Sequence, residues 1–182
     1  MSKCSFGQSQ MEYLGHIITG QGVSPDPAKI NAMVNWPKPK SLKSLRGFQG
    51  LTGYYRRFVQ SYGIISRPLT NMLNKNAFQW NEEIELAFER LKEAMTTVLV
   101  LALDDFTKPF IIETDACSKG MGAVLKKEER PLAYFSKALG ARNLGLSTYE
   151  KEYMDVLAAV DRWKHYLQGG HFIIRTDHQS LK

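Results

Sequence analysis

The amino-acid sequence predicts an α/β (α+β) fold, a helical segment followed by an incomplete mixed sheet with a helix. Three observations carry this expectation. Apolar residues recur three and four apart in successive segments between Pro27 and Met95. From Lys108 onward the pattern changes to short strands at hairpin-like spacing. Two of the later segments, about sixty residues apart, spell nearly the same phrase, F-I-I-E-T-D ending at Asp115 and F-I-I-R-T-D ending at Asp177, with one strong helix between them.

The elements follow in order. Residues 11–19, M-E-Y-L-G-H-I-I-T, read as a strand that passes into a G-x-G turn at Gly20 and Gly22. A helix follows, with Asp26 as N-cap and Pro27 at its first position, and Trp36-Pro37 stops it. A second, longer helix begins at Ser41 and carries Leu42, Leu45, Phe48, Leu51, Tyr55 and Phe58 on one face. Pro68 stands near the start of a short third helix that ends near Leu73. Asn81 caps the next helix, whose first turn holds Glu82 and Glu83 where they complement the helix dipole. This helix is expected to connect the two halves.

Three strands are then expected, P-F-I-I-E-T-D, M-G-A-V-L-K and P-L-A-Y-F-S-K. The strong helix after them opens with a capping box, Ser147 to Glu150, and its apolar face is expected to run through Tyr149, Tyr153, Val156, Leu157, Val160, Trp163 and Leu167. Gly169-Gly170 stops it, and H-F-I-I-R-T-D supplies the last strand.

A length of 182 residues allows one larger domain or two small ones. Hydrophobic and charged fractions of 43% and 23% are those of an ordinary globular protein. The longest apolar stretch, Val98 to Leu103, is too short to cross a bilayer, and nothing at the N-terminus resembles a signal peptide. The expectation is a soluble, intracellular chain of the cytoplasm or nucleus, with no membrane partner. Two distant cysteines, Cys4 and Cys117, form neither a disulfide framework nor a zinc site. Oligomeric state is left open.

Charge is unevenly placed. Residues 1–80 hold ten Lys and Arg against two acids, Glu12 and Asp26, a net +8, whereas residues 81–182 hold fourteen against sixteen, a net −2. A concentrated positive face is the footprint of a polyanion-binding surface. Within the long second helix Gly47, Gly50 and Gly53 recur every third residue, although each costs roughly 1 kcal/mol relative to alanine. The expectation is a smooth strip, flanked by Arg46, Tyr54, Arg56 and Arg57, for close approach of another helix or a nucleic-acid backbone.

The carboxylates carry the chemistry. If the intervening helix makes the usual right-handed crossover, the strand ending at Asp177 lies parallel to the one ending at Asp115, and both aspartates emerge at one edge of the sheet. Like charges placed there repel unless a cation sits between them, and oxygen donors suit magnesium or manganese. A third acid can come from the helix. At about 100° per residue Asp155 is expected to point away from the apolar stripe, and Glu150 is engaged in the capping box, which leaves Glu152.

The segments Y-L-G-H-I-I, G-V-S-P-D-P-A-K-I, L-R-G-F-Q-G-L-T-G-Y-Y-R-R-F-V, F-I-I-E-T-D-A-C-S-K-G-M-G-A-V-L, L-S-T-Y-E-K-E-Y and R-T-D-H-Q-S-L resemble, in this order and over essentially the whole chain, the Pol polyprotein of gypsy-class LTR retrotransposons. The resemblance implies the end of a polymerase palm over residues 1–23, a thumb over 24–75, a connection over 76–107, and the N-terminal part of an RNase H-like domain over 108–182. It puts Leu14, Gly15 and His16 at the primer grip, and makes Asp115, Glu152 and Asp177 the first three acids of an RNase H site that takes Mg2+ or Mn2+. The implied partner is an RNA–DNA hybrid or duplex, bound through those primer-grip residues and through Arg46, Gly50, Gly53, Tyr54, Arg56 and Arg57. The implied parent activities are RNA-directed DNA synthesis and metal-dependent hydrolysis of RNA in hybrids; the competing expectation is a nucleic-acid-binding remnant without chemistry. Two departures matter. The polymerase motif Y-x-D-D is absent, since Asp104-Asp105 follows Ala102-Leu103 and is expected in a turn or loop, and the family's fourth RNase H aspartate falls beyond Lys182.

Overall fold

The computed structural model describes residues 7–176, so Asp177 lies outside the described residues. The N-terminal segment is a three-stranded antiparallel sheet of β1 (Gln10–Tyr13), β2 (His16–Thr19) and β3 (Gly22–Pro25). The single strand expected over residues 11–19 is therefore two. The chain reverses at Leu14-Gly15, where φ is 48° and 74°; two successive positive φ values make the tight turn whose twist matches a hairpin. Leucine rarely adopts that backbone, which is why the apolar run reads as continuous.

The helices begin where their caps are. Asp26 accepts from the Ala28 N–H ahead of α1 (Pro27–Val34), and Ser41 from the Ser44 N–H ahead of α2 (Leu42–Tyr54). A 3-10 turn, Arg56–Phe58, ends the long helix earlier than its apolar spacing suggests. The single third helix expected around Pro68 is two short ones, α3 (Tyr62–Ile65) and α4 (Arg67–Asn71). Asn81 accepts from the Ile84 N–H to open α5 (Glu82–Thr96). These helices share one core around Met33, Leu45, Phe48, Leu69, Phe88 and Met95. Phe48 and Phe88 meet at 4.7 Å between ring centroids, within the range of favourable aromatic pairs.

Beyond α5 lies the second sheet, β4 (Phe110–Cys117), β5 (Gly120–Lys127), β6 (Arg130–Ala138) and β7 (Phe172–Thr176), in the order β6-β5-β4-β7. β4 pairs antiparallel with β5 and parallel with β7, with Thr114 opposite Thr176, as the paired phrases predict. The crossover is α6 (Thr148–Leu167), opened by the expected capping box in which Ser147 and Glu150 bond reciprocally. A second core forms where Phe110, Ile112, Ala123 and Leu125 of the sheet meet Ala159, Trp163 and Leu167 of α6.

The apolar face of α6 is not the expected one. Tyr149, Tyr153 and Leu157 are about half exposed, while Glu152 and Asp155 are buried together with Ala159, Trp163 and Leu167. The F-I-I run of β7 is likewise not covered on both faces: Phe172, Ile173 and Ile174 stay partly exposed on an edge strand of the described sheet.

Two glycines tie the layers together. Val23 and Leu101 exchange backbone hydrogen bonds of 2.8 and 2.9 Å, and a side chain at Gly22 would meet the Leu101 carbonyl oxygen at 2.0 Å. Gly63 of α3 donates its N–H to Ser136 Oγ of β6 at 2.7 Å, and a Cβ there would lie 2.7 Å from the Ser136 carbonyl oxygen. Only a bare backbone permits either approach. The second contact docks the helical layer on the sheet.

Candidate functional site

At the N-terminal hairpin, the turn is held by the end of α2. Tyr54 Oη donates to the Leu14 carbonyl at 2.8 Å, and Tyr55 Oη to the Gly15 carbonyl at 2.8 Å. The Gly15 carbonyl also accepts from the Asp26 N–H at 3.0 Å, so the turn is fixed to the start of α1 as well. The His16 ring lies 5.3 Å from that of Tyr54 and 5.5 Å from those of Tyr55 and Phe58. Leu14, 68% exposed, projects from this fixed turn. The structure thus brings Leu14, Gly15, His16 and Tyr54 into one rigid corner.

The glycine strip divides. A Cβ added at Gly47 would meet the Trp36 ring at 3.4 Å, and one at Gly53 would meet Tyr62 Oη at 3.4 Å, whereas nothing lies within 4 Å of a Cβ on Gly50. Close packing inside the fold accounts for the first and third positions, and Gly50 faces open space beside exposed Arg46. Arg56 and Tyr54 are exposed; Arg57 is half-buried and its Nη2 donates to the Leu132 carbonyl of β6 at 3.3 Å. Arg57 thereby bridges helices and sheet.

Glu152 and Asp155 lie where β4 and β5 meet α6, and Asp115, exposed, stands near the end of β4. Ile112 and Thr114 are buried on the α6 side, so strand alternation gives Asp115 to the other face, the face of Glu113 and Cys117. Glu152 comes from α6, 3% exposed, and its Oε1 accepts the Ala116 N–H at 3.2 Å. Asp155 is fully buried one turn further on, and its Oδ2 accepts the Gly122 N–H at 3.0 Å. The expectation that Asp155 points away from the core is overturned. Burial pushes its carboxyl up to about 7, with the charges of Glu152 and Asp115 adding to the rise and hydrogen bonds from the Gly122 and Asp115 backbone opposing it. Sequence reasoning missed Asp155 because it followed the apolar residues. The signal was available in the three-residue spacing to Glu152, which puts both acids on one helical face.

Among the described residues, no group of three or more His, Cys, Asp or Glu is disposed to hold a metal ion. Asp105 takes a loop role, accepting from the Thr107 N–H at 3.0 Å and its hydroxyl at 2.6 Å, which holds its carboxyl below the usual range. A cleft of about 470 Å3 opens in front of Asp115, between Gln60, Ser61 and Ile64 of the helical layer and Glu113 and Arg175 of the sheet. Among the described residues no helix is long and apolar enough to cross a membrane.

The RNase H-like domain found in reverse transcriptase matches residues 80–174, and the chain belongs to that family. It is 39% identical over 184 residues to the retrovirus-related Pol polyprotein from transposon 297 of Drosophila melanogaster, a match over 100% of the chain and 17% of the polyprotein. It is 34% identical to the Pol polyprotein from transposon gypsy of the same organism, over 98% of the chain and 19% of that protein. An uncharacterized mitochondrial protein of Arabidopsis thaliana is 61% identical over 111 residues, 60% of the chain and 70% of that protein. Among solved structures, the foamy viral protease-reverse transcriptase in complex with RNA/DNA hybrid shares the fold, with a TM-score of 0.88 at 21% identity over 99% of this chain and 26% of that one. The chain thus carries an RNase H-like domain of reverse transcriptases and is similar to retrotransposon Pol polyproteins, and it spans about a fifth or less of the two transposon polyproteins it matches.

Proposed function

We propose that this chain grips an RNA–DNA hybrid through its basic helical half and takes part in hydrolysis of the RNA strand through its sheet half, within a parent that copies RNA into DNA. The observation that carries the reading is the carboxylate group at the β4–α6 junction, where Glu152 and Asp155 are buried against strand N–H groups beside Asp115. Buried acids are expensive, and a carboxyl held above its usual range by burial, with neighbouring acids adding to the rise, is a functional-site pattern.

The donors are all oxygens, which suit Mg2+ or Mn2+, and a cation held there would offset the charges of these acids. Asp115, Glu152 and Asp177 are the residues that would hold it. Bound there, divalent ions would activate the attacking water and stabilise the leaving oxygen. The chain's own part is positioning. The Ala116 N–H orients Glu152, the Gly122 N–H orients Asp155, and the crossover helix delivers both acids to the end of the strand that carries Asp115.

In the helical half, Leu14, Gly15 and His16 form a corner for the end of a primer strand, and Arg46, Gly50, Tyr54, Arg56 and Arg57 are the surface for phosphate contacts, which position a duplex without reading its sequence, while Gly53 serves the packing against Tyr62. The similar foamy viral enzyme is seen with RNA/DNA hybrid, which supports this partner.

The test is hydrolysis of a labelled RNA strand in an RNA–DNA hybrid with Mg2+ or Mn2+. A polypeptide of these 182 residues is expected to cleave at trace level and to show no DNA polymerase activity, since it has no Y-x-D-D. Asp115→Asn keeps the shape and removes a charge, and should abolish the residual cleavage. Cleavage undiminished in Asp115→Asn overturns the assignment. The second reading, a binding remnant without chemistry, is favoured by the lack of a closed three-ligand group among the described residues. Hybrid binding with no cleavage at any metal concentration, in a chain extended by its neighbouring Pol sequence, would establish it.

A further inference from the structure

A cleft of about 910 Å3 lies between the helical layer and β6, where Gly63 docks on Ser136. Its helical wall carries Arg56, Arg57 and Arg67, its sheet wall carries Lys137, and α6 adds Arg162. Among the described residues no aspartate or glutamate lines it. Among the described residues none of these five cations makes an ion pair. Two are tied to backbone carbonyls, Arg57 to Leu132 at 3.3 Å and Arg67 to Lys119 at 3.5 Å. Arg57 Nε is buried with no hydrogen-bond partner in the structure, and the acid whose charge it feels, Asp104, lies outside the cleft wall.

We propose that this cleft seats the phosphodiester backbone of a nucleic-acid strand, with Lys137 and Arg162 as its sheet-side anchors. This rests on the hybrid-binding reading and extends it to residues in the half of the chain whose net charge is negative. An acidic half that concentrates two unpaired cations opposite three arginines has built a positive channel against its own charge. Five cations spread over two walls exceed what one phosphate needs, whereas a strand with one charge per nucleotide engages them in series. Tyr54, 51% exposed, also lines the cleft, and an exposed ring beside cations suits an unpaired strand that stacks. The backbone can come from an unpaired strand or from one strand of a hybrid, and the two are separable by measurement.

The experiment compares the full chain with Lys137→Gln/Arg162→Gln, both sites exposed, and with the charge-matched control Lys108→Gln/Lys164→Gln, outside the cleft. Affinity is measured for a labelled single strand and for a labelled RNA–DNA hybrid across a salt series. The cleft variant should bind about tenfold more weakly at low salt, with a salt slope shallower by about one to two, one increment for each phosphate contact removed. The control should change less than about twofold. A loss confined to the single strand assigns the cleft to an unpaired strand, and an equal loss on both assigns it to a strand of the hybrid. A parent that binds and a cleft variant indistinguishable from it, or a control that loses as much, overturns the inference and leaves the hybrid-binding reading standing. A mononucleotide that displaces the strand from the parent but not from the variant also overturns it, in favour of a small-ligand pocket. A parent that binds neither probe overturns the reading beneath.

Discussion

The two halves treat polarity in opposite ways. In the helical half the buried residues are apolar apart from Thr52 and Ser66, and the positive charge stands outside, ten basic residues against two acids over residues 1–80. The sheet half is nearly neutral outside yet buries Lys127, Glu152 and Asp155. A half that folds by packing can spend its surface on a ligand. A half that buries carboxylates gives up stability to hold them, which is the mark of positioned chemistry.

If that contrast is correct, the helical half should respond to lost volume and be indifferent to pH. Phe48 is fully buried between Phe88 and Trp36, with ring centroids at 4.7 and 6.0 Å. Phe48→Ala should cost about 3–5 kcal/mol, the usual range for a buried aromatic truncated to alanine. Denaturant melts at pH 5 and pH 8 should show the same loss at both. A loss below about 1 kcal/mol would mean that the helices hold together by something other than this core.

The sheet half should do the reverse at Asp155. Its carboxyl is raised to about 7 in the folded chain from an ordinary value near 3.8. Between those values the folded state binds the extra proton, so stability falls as pH rises and the full penalty is present above about 7. Asp155→Asn keeps an acceptor for the Gly122 N–H and has no charge to bury. The parent should lose on the order of 2–4 kcal/mol between pH 4 and pH 8.5 relative to the variant, measured in chelator so that no cation offsets the charge. Parallel pH profiles of the two proteins would show that Asp155 is not the strained group.

Much of this was legible beforehand, and the misses share a cause. The sequence reading gives Asp26, Asn81 and Ser147 as caps, and each accepts a backbone N–H of its first turn, because capping is a local exchange between neighbours in sequence. The parallel pairing of the two F-I-I strands was legible from their phrases and the helix between them. The hairpin turn at Leu14-Gly15 was hidden because leucine hides a positive φ. The orientation of α6 was hidden because Glu152 and Asp155 each accept an N–H of β4 or β5, a contact no periodicity records. Hydropathy ranks Tyr149, Tyr153 and Leu157 above two acids, and the fold ranks them the other way.

The smallest effect concerns Gly50, and it tests whether the outside of the helical half is truly given over to a ligand. Gly50 sits in mid-helix with open space where a Cβ would go, whereas a Cβ at Gly47 or Gly53 would lie 3.4 Å from Trp36 or Tyr62. Gly50→Ala meets no obstacle, so it should stabilise α2 by about 0.5–1 kcal/mol through reduced backbone freedom of the unfolded chain. That gain is available at no cost in packing, so a glycine there makes sense if a strand backbone comes close to it in the bound state. The same variant should therefore melt a few degrees higher and bind an RNA–DNA hybrid several-fold more weakly. Higher melting with unchanged affinity would remove Gly50 from the interface and leave the arginines as its only argument. A lower melting temperature would show that the helix is packed more tightly at Gly50 than at its two neighbours, contrary to the open space seen there.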